Sequence, residues 1–287
     1  MHGEGWNDPR DASLSTINTE ATNWSLQLWG DDVLINNRGG QLYYWDTSAG
    51  NSARAVLASS LGGASGIPTQ IRTIAVSFPD RHLIVGGAIP LSGGGIDPML
   101  VRFSNQEDFA VFTPTSTNTA GDQRLEVGEK IICMIPTKDE MFIQTDEAVY
   151  GMTFVGPPFT FSFRLLAVNC GAVALHGSAN VDGDVYWIGK SNFFIYNGAV
   201  QELPCSVQYF VFDRMQTRYF DKIYAGHNKK YNEVTWFYVS EDNVAVSDPE
   251  PDSYVTFNYA DGAWTIGTLD RNVWHDAKGF RQVPFAF

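Results

Sequence analysis

The chain has 287 residues and a formal net charge of −13, an acidity that opposes tight nucleic-acid binding, which rests on Lys and Arg neutralising phosphates. Hydrophobic residues make up 44% of it and aromatic residues 14%, enough for a sizeable core, and no apolar run reaches the ~20 residues that a membrane-spanning helix needs. Cys133, Cys170 and Cys205 lie far apart, without the CxxC or Cys/His spacing of a zinc site, and read as buried reduced thiols.

Taken in order, Met1–Asn23 is polar and reads as a lead-in arm, and its start, MHGEGWNDPR, lacks the charged-then-apolar layout of a signal peptide. The remainder, 24–287, reads as a single domain. Trp24–Trp29 (WSLQLW) alternates apolar and polar residues, which predicts a strand with one buried face. Val33–Asp46 runs strand, Asn-Asn-Arg-Gly-Gly turn, strand. Ala53–Leu61, after Ser52, is the best helical candidate. Thr73–Val85 returns to sheet with a turn at 78–81. Leu83–Phe103 is a hairpin around a Gly-rich tip, and Arg102–Gly121 an irregular polar connection between blades. Arg124–Ile135 and Met141–Val155 form the next unit, and Phe159–Leu166 a very aromatic strand.

Asp182–Pro204 is the most complete unit. Asp182-Gly183-Asp184 turns the chain, Val185–Ile188 and Phe193–Tyr196 are β-branched and aromatic strands, and Asn197-Gly198 is a strong hairpin signal. Ser206–Tyr219 is ambiguous between strand and short helix, and Lys222–Asn232 carries turn residues. Val234–Val239 is a strand, and Ser240–Ser253 reads as an exposed acidic loop. Tyr254–Tyr259 and Ala263–Leu269 follow as strands. The apolar end, with Trp274, Phe280, Phe285 and Phe287, is expected to dock.

Units beginning near 33, 83, 141, 185 and 234 recur at roughly fifty residues, close to the ~40–50-residue blade period of β-propellers. The expected fold is therefore all-β and propeller-like, with about five to six small antiparallel blades and long loops. A β-sandwich or two packed sheets is the alternative.

No catalytic constellation emerges. His2, His82, His176, His227 and His275 lie in different units without HxH or HExxH spacing. Ser65, in GGASG, does not fit a nucleophile elbow. Asp31-Asp32 and Asp182-Gly183-Asp184 offer too few oxygens for calcium and read as turns. Trp29, Trp45, Trp187, Trp236 and Trp264 read as core before sugar platform. No catalytic, cofactor or metal residue is assigned.

Several segments do carry a resemblance. Trp24–Asp46, Arg102–Leu125 (RFSNQEDFAVFTPTSTNTAGDQRL), Thr145–Phe159, Asn169-Cys170-Gly171, Trp187–Tyr196, Leu203-Pro204-Cys205 and Asn258–Trp264 occur in that order. Together they resemble the phage stabilisation, or tail nozzle, proteins of short-tailed bacteriophages, over roughly residues 24–275. Phe103 and Phe112 stand where that family carries Trp. The resemblance implies a propeller-like structural subunit of the virion tail, made in the host cytoplasm and assembled as a ring of six copies. It implies contacts with adaptor and portal proteins, and with tail fibres or spikes. Double-stranded DNA would pass through the ring without sequence-specific binding. The tips near Gly93–Asp97 and Asp248–Asp252 would close the channel or meet the adaptor. A receptor- or glycan-binding tail module, and a propeller polysaccharide hydrolase, remain the alternatives.

Overall fold

A computed structural model describes residues 23–78, 80–243, 249–270, 274–275 and 285–286. Among these, the strands form five four-stranded antiparallel sheets, each an uninterrupted meander, arranged as a β-propeller. Blade 1 comprises β1 (Trp24–Trp29), β2 (Asp32–Asn37), β3 (Leu42–Trp45) and β4 (Val56–Leu57). Blade 2 comprises β5 (Ile71–Val76), β6 (Leu83–Ala88), β7 (Asp97–Phe103) and β8 (Gly121–Arg124). Blade 3 comprises β9 (Ile131–Pro136), β10 (Met141–Thr145), β11 (Ala148–Gly156) and β12 (Thr160–Val168). Blade 4 comprises β13 (Ser178–Val181), β14 (Asp184–Ile188), β15 (Phe193–Tyr196) and β16 (Val200–Leu203). The helix α1 (Gln208–Asp213) and a 3₁₀ segment, Thr217–Lys222, precede blade 5. Blade 5 comprises β17 (Tyr224–Asn228), β18 (Glu233–Tyr238), β19 (Ser253–Asn258) and β20 (Trp264–Thr268). A two-stranded pair follows, β21 (Trp274–His275) with β22 (Phe285–Ala286).

The repeat of about fifty residues is present, but its frame lies one strand earlier than the sequence suggests. The expected starts at 33, 83, 141, 185 and 234 fall in the second strands, or within a residue of them. The first strands begin at Trp24, Ile71, Ile131, Ser178 and Tyr224. Three further expectations are corrected. Ala53–Leu61 is no helix but the short strand β4 followed by one 3₁₀ turn, Ala58–Ser60. Lys222–Asn232 contains the strand β17, and the Arg102–Gly121 connection lies within blade 2. Residues 1–22 of the expected arm lie outside the described residues.

Cores form where neighbouring blades face each other. Trp29, Leu34 and Leu42 of blade 1 meet Ile74, Val76 and Leu83 of blade 2. Ile84, Val101 and Phe103 meet Ile131, Met134 and Ile143. Phe142 and Val149 meet Trp187 and Phe194, and Tyr186, Ile188 and Phe193 meet Val234, Trp236 and Phe257. None of these apolar clusters, among the described residues, joins blade 5 to blade 1. Blade 5's far face is met by Trp274, whose ring lies tilted against Phe237 at 5.8 Å and sits where a side chain on Gly226 would be.

Two tryptophans staple blades to the chain before them. Trp187, fully buried, donates its indole N–H to the Cys170 carbonyl at 2.7 Å. Trp236, also fully buried, donates to the Gly177 carbonyl at 3.0 Å. An indole buried in a core needs a partner for its one donor. The chain leading into blade 4 supplies both.

Candidate functional site

The WSLQLW strand has the expected alternation with the opposite outcome. Ser25 and Trp29 turn inward toward blade 2, while Trp24, Leu26 and Leu28 are 51%, 61% and 64% exposed. The register places Leu26 opposite Ile35 and Leu28 opposite Val33, then Ile35 opposite Tyr43 and Val33 opposite Trp45. Residues directly opposite across a ladder share a face. The reverse side of blade 1 is therefore a continuous apolar surface. Its Trp45 indole nitrogen is buried without a hydrogen-bond partner among the described residues.

At one rim this blade opens into a cleft of about 540 Å³, lined by Trp29, Asp31, Asp32, Tyr44, Asp46 and Arg81 among others. Phe109 stacks on Tyr44 at 5.1 Å and meets Trp29 edge-on at 5.4 Å, and the Arg81 guanidinium lies 4.9 Å from the Trp29 ring. Asp32 is committed to structure. It accepts from the Tyr44 hydroxyl at 2.7 Å and the Thr47 amide at 3.0 Å. The Tyr44 bond foremost, then that of Thr47, holds its carboxyl below the usual range. The same hydrogen bond, with burial, pushes Tyr44 up to about 12.

At the opposite rim, polar groups converge near the axis. The Cys133 thiol and the Ser178 hydroxyl donate to Gln144 Oε1 at 2.7 and 2.6 Å. Burial pushes Cys133 up to about 12 and holds His176 low, against a hydrogen bond to the Trp24 backbone. Asn23 Nδ2 donates to the Asp221 carbonyl at 3.2 Å. The Asn23 bond ties the start of β1 to the 3₁₀ segment before blade 5.

The remaining histidines and acids named from sequence serve the fold. His82 is fully buried between Asp80 (2.8 Å) and Thr119 (2.9 Å). Burial would raise Asp80, but bonds from His82 and Ser77 outweigh it and hold the carboxyl low. His227 pairs with the Tyr259 hydroxyl at 3.2 Å. Asp182 takes a left-handed turn conformation and binds Lys229 of blade 5 at 2.8 Å. Ser65 donates its backbone N–H to Ala110 in an inter-segment bridge. Trp187 and Trp236 are core, and Trp264 donates to the Pro204 carbonyl at 2.9 Å. His2 and the side chain of His275 lie outside the described residues.

Both expected tips turn between the second and third strands of their blades, 2 and 5. Gly93–Gly95 is exposed, and Asp97 is held by Arg124 at 2.9 Å. Ser240–Ser253 departs from the exposed loop expected. Pro249, Pro251 and Ser253 are buried, Asp252 accepts from Ser240 N–H at 2.8 Å, and Glu250 pairs with Lys222 at 3.1 Å. Residues 244–248 of this loop lie outside the described residues.

The fold thus defines a β-propeller, and its most distinctive surface is the reverse face of blade 1, exposed along β1 and half-buried along β2 and β3. No family model and no curated protein sequence matches the chain. Among solved structures it is similar to the computationally designed Ika8 protein, at 14% identity and TM-score 0.49, covering 86% of this chain and 61% of that one. It is also similar to BamB from Moraxella catarrhalis, at 12% identity and TM-score 0.44, covering 85% and 60%. A third is Hsv2 of Kluyvelomyces marxianus, at 7% identity and TM-score 0.43, covering 84% and 59%. The chain spans about three fifths of the length of these structures. Likenesses this remote carry no functional argument. No helix among the described residues is long and apolar enough to cross a membrane.

Proposed function

We propose that this chain is a structural component of a bacteriophage tail, a nozzle-type ring subunit below the portal and adaptor that acts by assembly and not by catalysis. The observation that carries the reading is the apolar β1 edge of blade 1's reverse face, with Trp24, Leu26 and Leu28 each more than half exposed. Contiguous apolar surface of this kind marks an interaction site. The ordered resemblance over Trp24–Asp46, Arg102–Leu125 and the later segments supplies the kind of assembly. A net charge of −13 suits a conduit that DNA must pass without adhering.

The test is the solution mass of the purified chain at two concentrations, alone and with the adaptor of the same tail. A ring, or one that forms when the adaptor is added, supports the proposal. A strict monomer that ignores the adaptor overturns it. The cleft beside Trp29, Tyr44, Asp46 and Arg81 favours a second reading, a receptor- or glycan-binding tail module, because it sets aromatic rings among exposed hydrogen-bonding groups. Retention of the monomer on a host-polysaccharide column, lost on Arg81→Ala, would establish it.

A further inference from the structure

The hairpin signal Asn197-Gly198 carries a reactivity as well as a turn. Tyr196 pairs with Val200, so the turn between β15 and β16 comprises 197–199, all of them exposed. Gly198 takes a φ of 100°, open to a residue without Cβ. Among the described residues, neither the Asn197 side chain nor the Gly198 N–H has a hydrogen-bond partner. An asparagine amide lies within reach of the next residue's nitrogen, and a following glycine leaves that nitrogen free of side-chain crowding. No other Asn-Gly pair occurs in the chain. The Asp-Gly pairs at Asp182 and Asp261 differ in two ways. Their carboxylates carry a charge that opposes attack, and the glycine nitrogens that would attack are tied. Gly183 N–H donates to Asn180 Oδ1 at 3.0 Å, and Gly262 N–H to the Asn258 carbonyl at 2.9 Å.

We propose that Asn197 is a site of self-modification, converting through a succinimide to aspartate and isoaspartate. The Gly198 nitrogen attacks Cγ of Asn197, forming an N–C bond while the Cγ–Nδ2 bond breaks. The nitrogen's proton passes through solvent to the leaving group, which departs as ammonia. Water then opens the ring. Opening at Cγ leaves aspartate, and opening at the main-chain carbonyl leaves isoaspartate, with the chain running through the side-chain carbon. Only water is consumed. Because the Gly198 nitrogen must shed its proton to attack, the rate rises with pH. The site is independent of the ring reading. Its consequence falls on the edge of blade 4, since β16 is the outer strand and pairs with β15 alone. The near side of the turn is pinned by buried Tyr196, whose hydroxyl donates to Glu140 of blade 3. The added main-chain carbon of the isoaspartyl form is therefore taken up by β16.

Peptide mass spectrometry of the folded full chain, incubated in mildly alkaline buffer beside Asn197→Gln and beside the same chain held in urea, tests this. The folded chain is expected to gain the amide-to-acid mass at Asn197 ahead of every other asparagine, with aspartyl and isoaspartyl peptides separating on chromatography. Asn197→Gln should lose that conversion at least tenfold, because the longer side chain must close a larger ring. A folded chain that keeps its Asn197 amide while the chain in urea converts overturns the proposal, since the turn then protects the site. Aspartate formed without isoaspartate overturns the succinimide route. Amide hydrogen exchange of the isolated isoaspartyl form should rise at least tenfold in β16 and stay unchanged in β14. Equal exchange in both strands overturns the placement at the blade edge.

Discussion

Replacing Trp187 with Phe tests whether the tryptophan staple holds blade 4 to blade 3. Trp187 is fully buried, 5.4 Å from Phe142 of blade 3 and 5.4 Å from Phe194 of its own blade, and donates to Cys170 at 2.7 Å. Phe keeps the stacked ring but leaves the buried Cys170 carbonyl without its donor, which costs about 1–3 kcal/mol. The lost half of the indole leaves a void worth about 1 kcal/mol more. The sum, about 2–4 kcal/mol, is a large share of the ~5–15 kcal/mol that holds a domain folded. Trp45→Phe is the internal control, since that indole nitrogen has no partner among the described residues and its loss should cost under about 1 kcal/mol. Urea unfolding followed by far-ultraviolet circular dichroism gives both midpoints, converted through a common slope. Equal midpoints for the two variants would refute the staple.

Thiol labelling should separate the cysteines. Burial raises Cys133 to about 12 and Cys170 to about 11, so half-buried Cys205 reacts first with a disulfide reagent at pH 8, by at least tenfold over the others. In acid, Asp80 has a folded pKa below its unfolded value, so its contribution is complete above about pH 4 and fades as pH falls through the folded value. Asp80→Asn should therefore show a smaller loss of urea midpoint between pH 5 and pH 3 than wild type. In alkali the sign reverses. Tyr196 and Tyr238, raised to about 12 mainly by burial, stabilise the fold fully below pH ~10, and this is lost as pH climbs toward 12. Phenolate absorbance at 295 nm checks that their ionisation coincides with unfolding. Gly171→Ala should cost more than about 2 kcal/mol, because its methyl would meet the Asp146 backbone at 2.2 Å.

The second and third strands were the legible part of each blade. Val185–Ile188 and Phe193–Tyr196 announce themselves because they are buried on both faces and joined by tight turns. The first strands of blades 4 and 5 hid, since SANV of β13 and YAGHN of β17 carry the small and polar residues needed where blades converge. Gly226, under the Trp274 ring, is the clearest case. The candidate surface failed in a different way. Alternation in WSLQLW shows that two faces differ, but only the neighbouring blade decides which is covered, and that neighbour is nearly fifty residues away in sequence. The staples were equally silent, because a carbonyl acceptor leaves no mark on residue type.

A propeller whose blades are all sealed to one another resists widening as a hoop does, with every interface loaded at once. Here, among the described residues, the apolar seals run from blade 1 to blade 5 and stop, and the seam is crossed at one rim by Asn23 on Asp221. Among the described residues that seam is held by polar contact and the other four by buried apolar side chains, so the two kinds of interface differ in what parting them would expose to water. On the blade 1 side Trp24, Leu26 and Leu28 already stand more than half in solvent, so little apolar surface there is left to lose.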